Sequence, residues 1–162
     1  MADLLPHLDE VHAGRDFESG RRAFIDTECY ACHRLGSVGR DIGPELSGAG
    51  ARYSPRDLLE SLIDPSKVIS DQYRNIRVFL TDGEEVSGRL VREDADVLVL
   101  ETEPLNRIEQ AVPRADVEEI LPSDISAMPE GLLNVLTRDE ILDLLAFLIS
   151  DGNPEAPAFQ AP

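Results

Sequence analysis

Residues 29–33 read Cys-Tyr-Ala-Cys-His, and no other stretch restricts the fold of this chain as much. Two thiols three positions apart on one helical turn reach the two vinyl groups of a single porphyrin. The imidazole that follows projects toward the iron as a proximal ligand. C-x-x-C-H is therefore read as the attachment sequence for one covalent haem c, with Cys29 and Cys32 as thioethers and His33 on the iron. Cys29 and Cys32 are the only cysteines of the chain, so no structural disulfide competes for them. A redox dithiol is the first rival, but no βαβ pattern surrounds the motif. A zinc site would have to recruit His7 or His12, at spacings that match no finger or ribbon.

The segments on either side read as helix and loop. Residues 14–26 form an amphipathic pattern with Phe17, Gly20 and Phe24 on one face. A glycine on the apolar face of a helix costs about 1 kcal/mol against alanine, so Gly20 suggests the close approach of a second helix; a tolerated surface glycine is the alternative. Residues 34–53 are glycine-rich and read as a loop. A proximal imidazole needs an acceptor for its other ring nitrogen, and the carbonyl of Pro44 is the candidate; a plain turn proline is the alternative. Arg52 and Tyr53 close the loop as candidate donors to the haem propionates, or as a solvated pair. Ser54-Pro55 starts a helix whose apolar face is Leu58, Leu59, Leu62 and Ile63, and Pro65 ends it.

From Gln72 the apolar period falls to two. Five strand candidates follow: 73–80, 85–92, 96–102, 106–112 and 117–121, with Asp82-Gly83 as a hairpin signal. They predict a small antiparallel sheet or barrel. It carries no His, Cys or Met, hence no evident metal chemistry. Helical signals return after residue 125. Met128, the only methionine besides Met1, lies in a loop before Pro129 and is a candidate thioether ligand for the second face of the iron; a gap-filling core methionine is the other reading. Thr137-Arg-Asp-Glu140 is a capping box. It opens a helix with Ile141, Leu144, Leu145 and Leu148 on one face, the natural partner for Gly20.

The domain plan that results is a flexible lead-in over 1–13, a discontinuous haem core over 14–71 and 122–150, an inserted β module over 72–121, and a tail over 151–162. No apolar run approaches the ~20 residues of a membrane span. The formal charge of −17 is unevenly spread: residues 13–71 hold 8 basic and 10 acidic side chains, residues 72–122 hold 6 and 12, and residues 123–162 hold 1 and 7. Such a field repels nucleic acid and anionic lipid and steers a basic partner, or simply keeps the chain soluble. Haem c is attached on the oxidising side of an energy-transducing membrane, which predicts a periplasmic or otherwise exported location, although no signal peptide is present at Met1-Ala2-Asp3.

Five stretches together resemble a known family: Cys-Tyr-Ala-Cys-His-Arg (29–34), Gly-Pro-Glu-Leu (43–46), Asp57 to Tyr73 with its Asp-Pro-Ser-Lys run, Met-Pro-Glu-Gly-Leu-Leu (128–133) and Leu-Asp-Leu-Leu-Ala-Phe-Leu (142–148). They are similar to the planctomycete and verrucomicrobial haem-binding domain, a class I cytochrome c variant often found at the end of large exported proteins with dehydrogenase modules. The resemblance implies thioethers at Cys29 and Cys32, a proximal ligand at His33 and a distal ligand at Met128. It also implies an α+β fold, a helical class I cytochrome c core interrupted by the β module. The function expected is one-electron transfer without enzymatic turnover, with a dehydrogenase as donor. Two alternatives stand beside it. One is a gas sensor or peroxidase with a labile distal ligand; the other is a recruiting module that works through the β insertion.

Overall fold

A computed structural model describes residues 3–160. The fold is α+β, and the chain divides into two compact units: residues 1–67 with 129–162, and residues 68–128. Residues 1, 2, 161 and 162, which fall in the expected lead-in and tail, lie outside the described residues.

The first unit is helical. Helix α1 (Phe17–Asp26) is capped by Asp16, whose carboxylate accepts the Ser19 N–H. A two-strand hairpin, β1 (Arg34–Leu35) and β2 (Val38–Gly39), follows the Cys-Tyr-Ala-Cys-His turn. The short α2 (Ala49–Arg52) leads into α3 (Pro55–Ile63), which starts with a reciprocal Ser54–Asp57 capping box and Pro55 at its first position. Helix α4 (Arg138–Ile149) opens with the Thr137–Glu140 capping box expected from the sequence.

The contact between α1 and α4 explains Gly20. A Cβ at this position would fall on the Asp143 carbonyl and within 2.9 Å of Phe147 Cβ, so only hydrogen lets the two backbones meet. Phe147 then stacks against Phe17 and Phe24, with ring centroids 5.5 and 5.7 Å away. An amphipathic α4 was the expectation, yet every residue from Ile141 to Leu148 is buried. The reason is that α1, α2, α3 and a segment near the N-terminus all pack on it. The expected flexible lead-in contains a 3-10 helix (Leu5–His12) that packs on α4 and buries Val11. The expected loose tail contains a 3-10 turn (Pro157–Phe159) whose Phe159 meets Phe17 edge-on at 5.3 Å. The Arg15 N–H donates to the Ala158 carbonyl at 2.9 Å and ties this turn to the start of α1. Asp143, only 6% exposed on α4, accepts the Asp16 N–H at 3.1 Å and lies 3.6 Å from Arg15. A buried carboxylate is tolerated where it is paired in this way.

The second unit is a five-stranded antiparallel sheet. Its strands are β3 (Asn75–Leu80), β4 (Glu85–Glu93), β5 (Val97–Glu103), β6 (Ile108–Pro113) and β7 (Val117–Pro122), each within a few residues of its sequence expectation. Their order is β6-β5-β4-β3-β7, so the last strand returns to pair with the first. The pairings form an open row, a sheet rather than a closed barrel. Val78, Val86, Leu98, Leu100 and Val112 make its core. Glu101, 3% exposed on β5, is held by Arg89 at 2.7 Å from the neighbouring strand and by Arg107 at 3.5 Å. Asp82-Gly83 makes the β3–β4 turn, where the Asp82 carboxylate accepts the Glu84 N–H.

Candidate functional site: the Cys29–His33 turn

Helix α1 ends at Asp26, and Glu28 takes a left-handed conformation (φ 57°) that turns the chain into a 3-10 segment, Cys29–Ala31. The His33 N–H then donates to the Cys29 carbonyl at 2.9 Å, which places Cys29, Cys32 and His33 on one turn. The following loop folds back underneath. Ile42 and Gly43 donate their N–H groups to the Cys32 carbonyl at 3.0 and 2.7 Å, and Arg40 donates to the Tyr30 carbonyl at 3.1 Å. These bonds bring Pro44 to the histidine.

His33 Nδ1 lies 2.7 Å from the Pro44 carbonyl oxygen. A carbonyl only accepts, so the proton resides on Nδ1 and the lone pair on Nε2 is left for a metal. Gly43 lies against the same ring, and a Cβ there would come within 2.8 Å of His33 Cε1. The imidazole is thus fixed in both tautomer and angle.

Both thiols are free, Cys29 buried and Cys32 half-buried. Burial pushes the Cys29 thiol up, against an opposing hydrogen bond with Thr27, whose hydroxyl lies 3.3 Å from the sulfur. Burial likewise raises Cys32, against the opposing charge of Arg40. Thiols raised in this way stay protonated at neutral pH, unlike the lowered thiol of a reactive dithiol. Among the described residues, no group of three or more His, Cys, Asp or Glu is gathered to hold a metal ion. His7 is occupied 2.6 Å from Glu10, and His12 is exposed.

The remaining candidates are placed as follows. Arg52 donates from Nη2 to the Glu45 carbonyl at 2.9 Å, and its guanidinium lies 5.9 Å from the Tyr53 ring centre, with both side chains exposed. Met128 is half-buried at the end of the second unit, its N–H donated to the Ser126 hydroxyl. A separate cleft of about 290 Å³ in the first unit, lined by Phe17, Phe24, Ile25, Leu35, Val38 and Phe147 among others, contains none of the site residues.

Sequence reasoning did not single out Glu45. Its carboxylate binds the Ser47 hydroxyl at 2.6 Å and Arg34 Nε at 2.5 Å, which hold it at a pKa of about 2. The only available signal was its position beside Pro44. The folded-state pKa lies below the ordinary 4.5, so this carboxylate stabilises the loop above pH 4.5 and loses that contribution as pH falls toward 2. Asp41 is the other acidic group felt by Arg34. Glu45→Gln is therefore expected to be less stable than the wild type at pH 6, and the gap in denaturation midpoints should narrow as the pH falls below 4.5 and close only near pH 2.

Two thiols, a tautomer-fixed imidazole with a free Nε2, and glycine where the ring passes form a donor set that fits one haem tethered at a single turn. The family model for Cytochrome c matches residues 17–99, just over half of the chain, and the chain belongs to the cytochrome c family. It is therefore a covalent haem c protein with iron, of a family whose work is haem-based electron transfer. The match ends within β5, and Met128 lies outside it. No curated protein matches the chain.

Proposed function

We propose that this protein is a mono-haem electron carrier of the planctomycete type, with thioethers at Cys29 and Cys32, His33 as proximal ligand and Met128 as distal ligand. The His33 Nδ1–Pro44 bond carries the reading, because it prepares Nε2 for iron and raises the ligand's basicity. Haem c, when bound, supplies the one-electron couple. The chain's own residues tether it, hold the ring angle and shield the iron. Arg52 keeps N–H groups beyond its Glu45 bond and, with Tyr53, suits the propionates. A thioether sulfur opposite the imidazole raises the potential and closes the iron to small ligands. Cytochrome c domains are typically exported, and no helix among the described residues is long and apolar enough to cross a membrane. The proposed location is the periplasm or its equivalent, and the proposed donor is a dehydrogenase module, fused or docked.

Optical spectra of the holoprotein, ferric and ferrous, with and without carbon monoxide, test the ligand set. The expected result is a low-spin spectrum with a ferric sulfur-to-iron band at the red edge. That band disappears in Met128→Ala, and carbon monoxide binds slowly in the wild type and rapidly in the variant. A high-spin wild type with rapid carbon monoxide binding would replace this reading with the sensor or peroxidase one. A low-spin wild type without the band would assign the distal position to a nitrogen such as His7 or His12.

A further inference from the structure

His33 and Pro44 are each followed by a charged residue, and the two charged residues meet. Arg34 Nε donates to Glu45 Oε2 at 2.5 Å, alongside the His33–Pro44 bond of 2.7 Å. Glu45 is held at three further points. Its Oε1 accepts the Ser47 hydroxyl at 2.6 Å and the Ser47 N–H at 3.1 Å, and its carbonyl accepts Arg52 Nη2 at 2.9 Å. The Arg34 carbonyl in turn accepts the Leu46 N–H at 2.8 Å.

This arrangement bears on one peptide plane. The Pro44 carbonyl belongs to the plane that joins Pro44 to Glu45. The pyrrolidine ring fixes φ on the proline side, but it leaves ψ free. A rotation about ψ would swing the oxygen away from Nδ1. The bonds to Glu45 hold the far side of that plane and oppose the rotation.

We infer that Glu45 is a positioning residue: together with Arg34 it holds the Pro44 carbonyl on His33 Nδ1 and so sets the reduction potential of the haem. The inference rests on the proposed role of His33 as proximal ligand. A hydrogen bond accepted from Nδ1–H makes the imidazole more basic. A more basic axial ligand favours the ferric state and lowers the potential. Freeing the carbonyl therefore raises it.

Charge alone makes a different prediction. Glu45→Gln removes an anion and by Coulomb's law raises the potential; Arg34→Gln removes a cation and lowers it. Acting through the peptide plane, both substitutions raise it. The experiment is potentiometric titration of the wild-type, Glu45→Gln and Arg34→Gln holoproteins, with nuclear magnetic resonance exchange of the His33 Nδ1–H in the ferrous state. The expected result is an upward shift in both variants and faster Nδ1–H exchange in both. Arg34→Lys, which keeps a cation and a donor, should return toward the wild-type value. Opposite shifts in the two glutamine variants, or unchanged Nδ1–H exchange, would overturn the inference while the wild-type spectrum remains that of a histidine-ligated haem. A wild-type spectrum without histidine ligation would overturn the ligand reading as well.

Discussion

Gly20→Val is expected to lower stability by about 3 kcal/mol, at the upper end of the range for overpacked cores. The argument starts from the carbonyl of Asp143, on which any Cβ at position 20 would fall. That oxygen belongs to the backbone of α4 and cannot turn aside as a side chain could. Phe147 Cβ, 2.9 Å from the same point, is fixed to that backbone too. The only relief is to move α1 off α4, which also separates Phe17 and Phe24 from Phe147. Alanine would gain about 1 kcal/mol of helix propensity at this position, and the clash should still outweigh it. Thermal unfolding of the holoprotein should show a midpoint about 10 °C lower for the valine variant and a smaller drop for alanine. An unchanged midpoint in both would mean that the two helices do not meet at Gly20.

Local signals carried most of this fold. The Thr137–Glu140 capping box, the Ser54-Pro55 start and the alternating strands each depend on residues within one turn or one hairpin of each other, and the structure has them at those places. Gly20 carried a long-range message because a glycine on an apolar face needs a reason, and α4 supplies it. The packing of the two terminal segments was not legible. A 3-10 helix lacks the period of 3.6 by which residues 14–26 were recognised, and the phenylalanine at 159 sits in a Pro- and Ala-rich stretch that reads as linker. Without the N-terminal 3-10 helix α4 reads as amphipathic, and nothing local marks Asp143 as the partner of Arg15.

The site divides along the same line. Cys29, Cys32 and His33 share one turn, so their grouping could be read directly from spacing. Pro44 was reachable because the need of the imidazole for an acceptor is chemical and the nearest rigid carbonyl was a proline. Glu45 and Arg34 were not reachable, since their meeting depends on the register of the fold-back beneath the turn. Glu101 is the same case in the sheet. Its burial against Arg89 and Arg107 follows from strand pairing and leaves no local trace.

Gly39→Ala is expected to reduce the yield of haem-loaded protein about tenfold, the lower end of what supporting contacts of a metal ligand are worth. Gly39 ends β2 opposite Arg34, directly beneath the attachment turn. Two costs coincide there. Its φ of 99° is a conformation that an L-residue adopts only with strain. Its Cβ would also fall on the His33 carbonyl and lie 3.1 Å from the Tyr30 carbonyl. Both oxygens belong to the turn that presents the two thiols, so relief must shift His33 away from Pro44. Gly36 offers a control with milder strain and no collision. It lies in the same hairpin with φ 60°, yet a Cβ there meets nothing within 4 Å. Gly36→Ala therefore carries strain without collision and should load haem close to the wild-type level. If both variants lose haem equally, backbone strain in the hairpin governs attachment. If only Gly39→Ala does, attachment depends on the close backbone passage at Gly39, where collision and the φ of 99° coincide.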